Sequence, residues 1–120
     1  MDQADILDAV RSRITGLVPA VFIDLAPQNR PEIYAVLQVQ DRPVECFGGE
    51  GLAVADVTVR IWSARATGPA LSRQLAQACM AALRNAGTND YIIQQVRRDG
   101  PALDGLTWLR TEIRVRVREL

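Results

Sequence analysis

Residues 111–120, TEIRVRVREL, alternate strictly between polar and apolar side chains. Successive side chains of a β-strand point to opposite faces of a sheet, so this pattern predicts a strand with one apolar and one charged face. The alternation already begins upstream, and the predicted strand covers residues 106–119. Its charged face carries Arg110, Glu112, Arg114, Arg116 and Arg118. A strand with one solvent-exposed face is typical of an antiparallel sheet that is covered on one side only.

Working back along the chain, two helices and four further strands are predicted. Apolar residues recur at helical spacing over 2–16 and 68–86, and each of these segments is followed or closed by a glycine. Alternating apolar residues predict strands over 20–25, 33–41, 55–63 and 91–98. Glycine and proline predict a loop over 42–51 and a hairpin connection over 99–105. The order α-β-β-β-α-β-β predicts a single α+β domain over residues 1–120, in which a mainly antiparallel sheet of about five strands packs on two helices.

Composition argues against several classes of function. The chain has 14 basic residues, all arginine, and 14 acidic residues, so no global charge draws it to nucleic acid or a membrane. It has no histidine, which removes the commonest general base and metal ligand. We therefore expect no enzyme, no cofactor and no metal. The two cysteines have no metal-like spacing, and no apolar run approaches the ~20 residues of a membrane span.

Charge is unevenly divided along the chain. Residues 1–60 carry five arginines against nine acidic residues, a net charge of −4, and residues 61–120 carry nine against five, a net of +4. Unless folding interleaves the two halves, one end of the molecule can attract the other end of a neighbouring copy.

The arginine-rich strand face has three possible roles. It is a solvated sheet face, a protein interface or inner wall of an assembly, or a nucleic-acid surface. Arg60 and Trp62 of the 55–63 strand, and Trp108, have the same parity and join this candidate surface. The tryptophans either cover the sheet edge or anchor a subunit contact. Glu112 and the balanced net charge argue against a dedicated nucleic-acid surface.

The glycine-rich loop does not fit a phosphate-binding loop, because a strand follows it and lysine is absent. It is either a flexible connection or a loop that becomes ordered on contact with a partner. The candidate contact residues are Glu45, Phe47, Gly48, Gly49, Glu50 and Gly51.

The succession of motifs resembles a known family. An amphipathic helix leads to VFIDLAPQ (21–28), then to Pro31 and Tyr34 before AVLQVQD (35–41). A glycine-containing loop, a strand closing on tryptophan (VTVRIWS, 57–63), a helix and a final hairpin follow. Over roughly residues 4–118 the chain resembles the tail-terminator, or tail-completion, proteins of long-tailed bacteriophages and prophages.

The resemblance implies a structural role. Such proteins form a hexameric ring on the finished tail tube, stop the addition of tube subunits and offer a docking surface to the head completion or neck protein. DNA passes through the ring without sequence-specific binding, and no membrane is involved. Assembly would take place in the cytoplasm of the host bacterium, and the protein would remain at the head-proximal end of the virion tail. The alternatives are another head–tail neck or minor tail protein, or a cytoplasmic α+β binding module.

Overall fold

The computed structural model describes residues 3–43, 53–84 and 91–119. Over these residues the elements follow the predicted order. They are α1 (Gln3–Ile14), β1 (Val21–Ile23), β2 (Ile33–Pro43), β3 (Ala53–Ala64), a 3-10 turn (Arg65–Thr67), α2 (Pro69–Arg84), β4 (Tyr91–Asp104) and β5 (Trp108–Glu119). The predicted α+β class is confirmed.

The strands form one sheet in the order β1-β2-β3-β5-β4. The β2–β3, β3–β5 and β4–β5 pairs are antiparallel, as predicted for most of the sheet. The short strand β1 pairs with β2 in parallel, which makes the sheet mixed. Residues 24–32 return the chain across the end of the sheet, so that Ala35 can donate its backbone N–H to the carbonyl of Ala20 at 2.9 Å.

One face of the sheet and the two helices enclose the core. The side chains of this face come from the odd-numbered positions of β2, β3 and β5, as the alternation requires. The largest fully buried side chains include Leu37, Ile61 and Ile113 on the sheet and Ile6, Ile14 and Leu83 on the helices. The opposite face has no helix over it among the described residues, and it carries the even-numbered positions.

The predicted connection over 99–105 is wrong in its extent. Strand β4 runs to Asp104, and the turn to β5 occupies only residues 105–107. The pairing shifts register between Asp99 and Ala102, and Gly100 has a φ of +100°, where a Cβ would lie 2.8 Å from the carbonyl oxygen of Arg110. Glycine at this position marks an irregularity within a strand rather than a turn.

The predicted loop over 42–51 also begins too early. Arg42 and Pro43 belong to β2, paired with Val54 and Ala53 of β3. The remaining loop residues, including the six candidate contact residues, lie outside the described part of the chain.

Candidate functional site

The structure brings the predicted surface residues of β3 and β5 onto one face of the sheet. In the register, Trp62 lies opposite Arg110, Arg60 opposite Glu112, and Asp56 opposite Arg116. Strand β4 adds Arg97, which lies opposite Arg114. We call this surface the arginine face. Its members are Asp56, Thr58 and Arg60 of β3, Gln95 and Arg97 of β4, and Arg110, Glu112, Arg114, Arg116 and Arg118 of β5.

Ion pairs within β5 and between β5 and β3 hold part of the arginine face in place. Glu112 receives Arg114 Nε on Oε1 at 2.9 Å and Arg60 Nε on Oε2 at 3.4 Å. Arg116 Nε donates to Asp56 Oδ1 at 3.2 Å. Arg60 also donates from Nη1 to the side-chain oxygen of Gln38. These contacts link β2, β3 and β5, so the charged rows are ordered before any partner arrives.

The arginine face keeps an excess of positive charge. A groove of about 420 Å³ crosses it, lined by four arginines and only two carboxylates. Arg114 has 69% of its side chain exposed and Arg116 has 41%. Arginine is enriched at protein interfaces because its planar guanidinium still has free donors after forming one ion pair.

Glu112 is the carboxylate on which two of these ion pairs converge. The hydrogen bond from Arg114 lowers the pKa of Glu112 against the opposing effect of burial, and the charge of Arg60 lowers it further. A lowered pKa means that the ionised form is favoured in the folded chain.

Protonation of Glu112 is therefore expected to weaken the fold in acid. The contribution is present above the ordinary glutamate pKa of about 4.3 and is lost as the pH falls through the lower, folded-state pKa. Glu112→Gln should flatten the fall in melting temperature between about pH 5 and pH 3. Asp8→Asn, which changes an exposed carboxyl on α1, is the control. Identical pH profiles for the wild type and Glu112→Gln would contradict this assignment.

At the end of the sheet where β2 begins, the arginine face adjoins three packed aromatic rings. Tyr34 stacks on Trp62 with ring centroids 5.2 Å apart and 13° between the planes. Trp108 meets the same tyrosine edge-on at 5.5 Å. Tyr34 is only 4% exposed although its position belongs to the polar face, and its burial raises its pKa. The stacked rings create a second, apolar region on this face.

Two charged side chains border the three rings. The guanidinium of Arg30 lies 5.4 Å from the centre of Tyr34 and 5.8 Å from that of Trp108, which are cation–π distances. The indole N–H of Trp62 donates to Asp104 Oδ2 at 2.7 Å, so the end of β4 is tied to β3 across β5. Together they frame an open space of about 540 Å³. We call it the aromatic cleft, and define it by Tyr34, Trp62, Trp108, Arg30, Asp104 and Arg110.

The tryptophans do not cover the sheet edge, which corrects one of the two readings of these residues. Strands β3 and β5 lie inside the sheet, and the rings of both tryptophans pack on Tyr34 instead. Sequence reasoning missed Arg30 and Asp104, which lie in a connection and at a strand end. Tyr34 could be predicted on this face, because it lies an even number of positions before the polar Gln38 on the same strand. The structure places it opposite Trp62.

Comparison with known proteins identifies the family. A model of the tail completion protein gp17 family matches residues 5–118. The chain belongs to this family. The match covers nearly the range over which the motifs resemble tail-completion proteins, and it confirms that resemblance. Membership of the tail completion protein gp17 family makes this chain a component of phage-type virion tail assembly.

Solved structures share the fold at low sequence identity. A chain from the virion of a native gene transfer agent particle superposes with a TM-score of 0.69 at 18% identity, over 95% of this chain and 93% of that one. A second structure, whose name gives no function, has a TM-score of 0.70 at 14% identity, over 100% and 96%. No curated protein matches the chain in sequence.

Proposed function

We propose that this protein forms a hexameric ring that caps the completed tail tube. In this role it ends tube polymerisation and provides the surface on which the head completion or neck protein docks. The ring acts without catalysis or a cofactor, and DNA passes through it without being read. It is assembled in the host cytoplasm and stays at the head-proximal end of the tail. The observation that carries the proposal is the match to the tail completion protein gp17 family over residues 5–118.

The distribution of charge favours a head-to-tail arrangement of copies. Strand β3 lies in the middle of the sheet. Strands β1 and β2, from the first half of the chain, lie on one side of it, and strands β5 and β4, from the second half, lie on the other side. Helix α1 packs against β1 and β2, whereas α2 packs mainly against β4 and β5. Among the described residues the first half carries five arginines against six acidic residues and the second half nine arginines against four, so the excess positive charge lies in the second half. An interface that joins two different patches of neighbouring copies closes into a ring when the rotation between copies allows it.

The open arginine face supports an assembly role as well. The helices cover one face of the sheet, and an ordered, positively charged face remains available on the other. We place Arg60, Arg110, Glu112, Arg114, Arg116, Arg118, Trp62 and Trp108 at the contacts between subunits or toward the channel of the ring.

Tube length tests this function directly. The tail tube protein of the same particle would be assembled with and without this chain, and the tubes measured by negative-stain electron microscopy. We expect tubes of uniform length that accept heads when the chain is present, and overlong tubes without heads when it is absent. A chain that leaves tube length unchanged but is needed for head attachment would instead be another neck protein.

A further inference from the structure

A groove between α2 and β4 carries positive charge and, in its described lining, no carboxylate. We call it the basic groove; it encloses about 570 Å³ and is lined by Gln77, Met80 and Arg84 of α2 and Val96, Arg97 and Arg98 of β4. Its three arginines form no ion pair or hydrogen bond among the described residues. Asp99 follows on β4, but it lies opposite Glu112 in the register and so belongs to the arginine face. The basic groove therefore favours a partner that brings a carboxylate.

The floor of the basic groove is apolar and only partly covered. Met80 and Val96 are partly buried side chains at the margin of the core. Strand β4 is an edge of the sheet, and Arg98 has the parity of the buried Ile113. A charge at such a position, together with the two register irregularities of β4, hinders pairing with another strand. A partner must therefore enter the groove with a side chain, and the floor suits a large apolar one.

A matching feature projects from the opposite edge of the sheet, where β1 ends. Asp24 has a φ of +67°, in the left-handed region that residues other than glycine rarely adopt. The N–H of Leu25 donates to the carbonyl of Ile23 at 2.8 Å and closes a tight turn around Asp24. This turn leaves Leu25 82% exposed. A strained turn that presents a leucine to solvent is unfavourable in a single copy and points to a contact with a partner.

We call Asp24 and Leu25 the edge knob, and it carries the carboxylate that the basic groove lacks. The carboxylate of Asp24 has no ion pair or hydrogen bond among the described residues. Asp56 and Arg60 line the same hollow, but they are paired with Arg116 and Glu112. The uncompensated charge of the edge knob is therefore negative.

We propose that the edge knob of one copy docks into the basic groove of a second copy, with Leu25 on its apolar floor and the carboxylate of Asp24 among its arginines. This inference rests on the proposed ring, for which it identifies the surfaces that neighbouring copies share. One copy cannot join its own knob and groove, because four strand spacings separate β1 from β4. At roughly 4.8 Å per spacing this is about 19 Å.

The register places the edge knob and the basic groove at the same height on the sheet. The N–H of Asp24 donates to the carbonyl of Leu37 at 2.9 Å, and Leu37, Val59, Ile113 and Arg98 form one row of paired residues. A contact between surfaces at equal height adds no displacement along the strands from one copy to the next. Copies joined in this way can close into a ring, whereas a displacement at every contact would build an open filament.

The edge knob and the basic groove also face in opposite directions. Asp24 and Leu25 border hollows on the side of the arginine face, whereas α2 forms one wall of the groove on the helix side. Neighbouring copies therefore overlap at their edges, with the first half of one chain against the second half of the next. The excess of positive charge in the second half favours this direction.

Removal of the edge knob tests its role without disturbing the fold. Asp24→Asn keeps a residue that tolerates a positive φ, and Leu25→Ala changes an exposed side chain. The double variant should associate at least about tenfold more weakly than the wild type, measured by native mass over a range of concentrations, alone or with tail tubes. The melting temperature of the unassembled chain should not change. Asp8→Asn with Leu106→Ala makes the same chemical changes at two other exposed positions and should associate as the wild type does.

Reversal of charge tests the basic groove. Arg84→Glu with Arg98→Glu places carboxylates where the knob brings Asp24, so association should again fall at least about tenfold. The matched control is Arg11→Glu with Arg13→Glu, which makes the same change in net charge at exposed positions of α1.

Cross-linking tests the contact in a chain that keeps the charges of both surfaces. Leu25→Cys with Gln77→Cys, combined with Cys46→Ser, should form disulfides between copies under a mild oxidant, in a ladder that ends at six copies. Cys79 should not compete, because burial raises the pKa of its thiol to about 11. Leu106→Cys with Gln77→Cys in the same background should give no ladder.

The outcomes separate this inference from the proposed function. Rings that form normally from the knob and groove variants, with no cross-link between positions 25 and 77, would overturn the docking and leave the ring intact. A knob variant whose melting temperature falls together with its association would make Asp24 and Leu25 structural residues and would also overturn the docking. Failure of the wild-type chain to form rings, alone or on tubes, would overturn the proposed function itself. A ladder that ends at six copies, with weaker association of both variants, would support both.

Discussion

Replacing Arg114 and Arg116 together with glutamate is expected to block ring formation or tail joining while the chain remains folded. Arg114 is largely exposed and Arg116 is partly exposed, at 69% and 41% of their side chains, and both form ion pairs near the surface. Such pairs contribute only about 0–1 kcal/mol each to stability. The substitution nevertheless changes the charge of the arginine face by four and places new carboxylates beside Glu112 and Asp56. Juxtaposed like charges at an interface cost several kcal/mol, enough to prevent association.

The measurement is native mass and head joining, with circular dichroism to confirm the fold. Arg11→Glu with Arg13→Glu makes the same change in net charge on the exposed surface of α1 and should assemble as the wild type does. Normal assembly of the Arg114/Arg116 variant would make the arginine face a solvated surface without a role in the ring.

The largest loss of stability is expected from Ile113→Ala. Ile113 has no exposed surface and lies on β5 between β3 and β4, opposite Val59. Removing a buried isoleucine side chain leaves a cavity and costs about 2–5 kcal/mol, whereas Ile113→Val costs about 0.5–1.5 kcal/mol. Domains of this size have a free energy of unfolding of about 5–15 kcal/mol, so the alanine variant loses a large share of it.

Urea unfolding of the unassembled chain would measure this loss. Leu106→Ala is the control, since Leu106 is 86% exposed and its change should stay within about 0.5 kcal/mol. Equal losses for Ile113→Ala and Leu106→Ala would contradict the assignment of Ile113 to the core.

The alternating strands could be predicted because their period is visible locally. In TEIRVRVREL each apolar residue has a polar neighbour, and the structure buries Ile113, Val115 and Val117 as the pattern requires. Register and strand order depend on contacts between distant segments, so the parallel pairing of β1 with β2 was not visible. Glycine followed by proline at 100–101 is equally compatible with a turn and with an irregular strand, and only the pairing with β5 distinguishes them.

The candidate site also has one part that the sequence predicts and one part that depends on contacts between distant segments. The arginine face follows from parity alone, since Arg60 and Arg114 have the polar parity of their strands. The aromatic cleft follows only in part: Tyr34 has the polar parity of β2, but its contact with Trp62 depends on the pairing of two separate strands. Arg30 reaches the rings from a connection whose path is set by the fold.

The central claim is that this chain closes into a ring, and native mass with negative-stain images of the same sample tests it most directly. Six copies of the 13.2 kDa chain give about 79 kDa, and a closed ring appears as an annulus with a central hole. We predict this species, either for the chain alone or on addition of tail tubes. A stable dimer of about 26 kDa that does not change in the presence of tubes would contradict it.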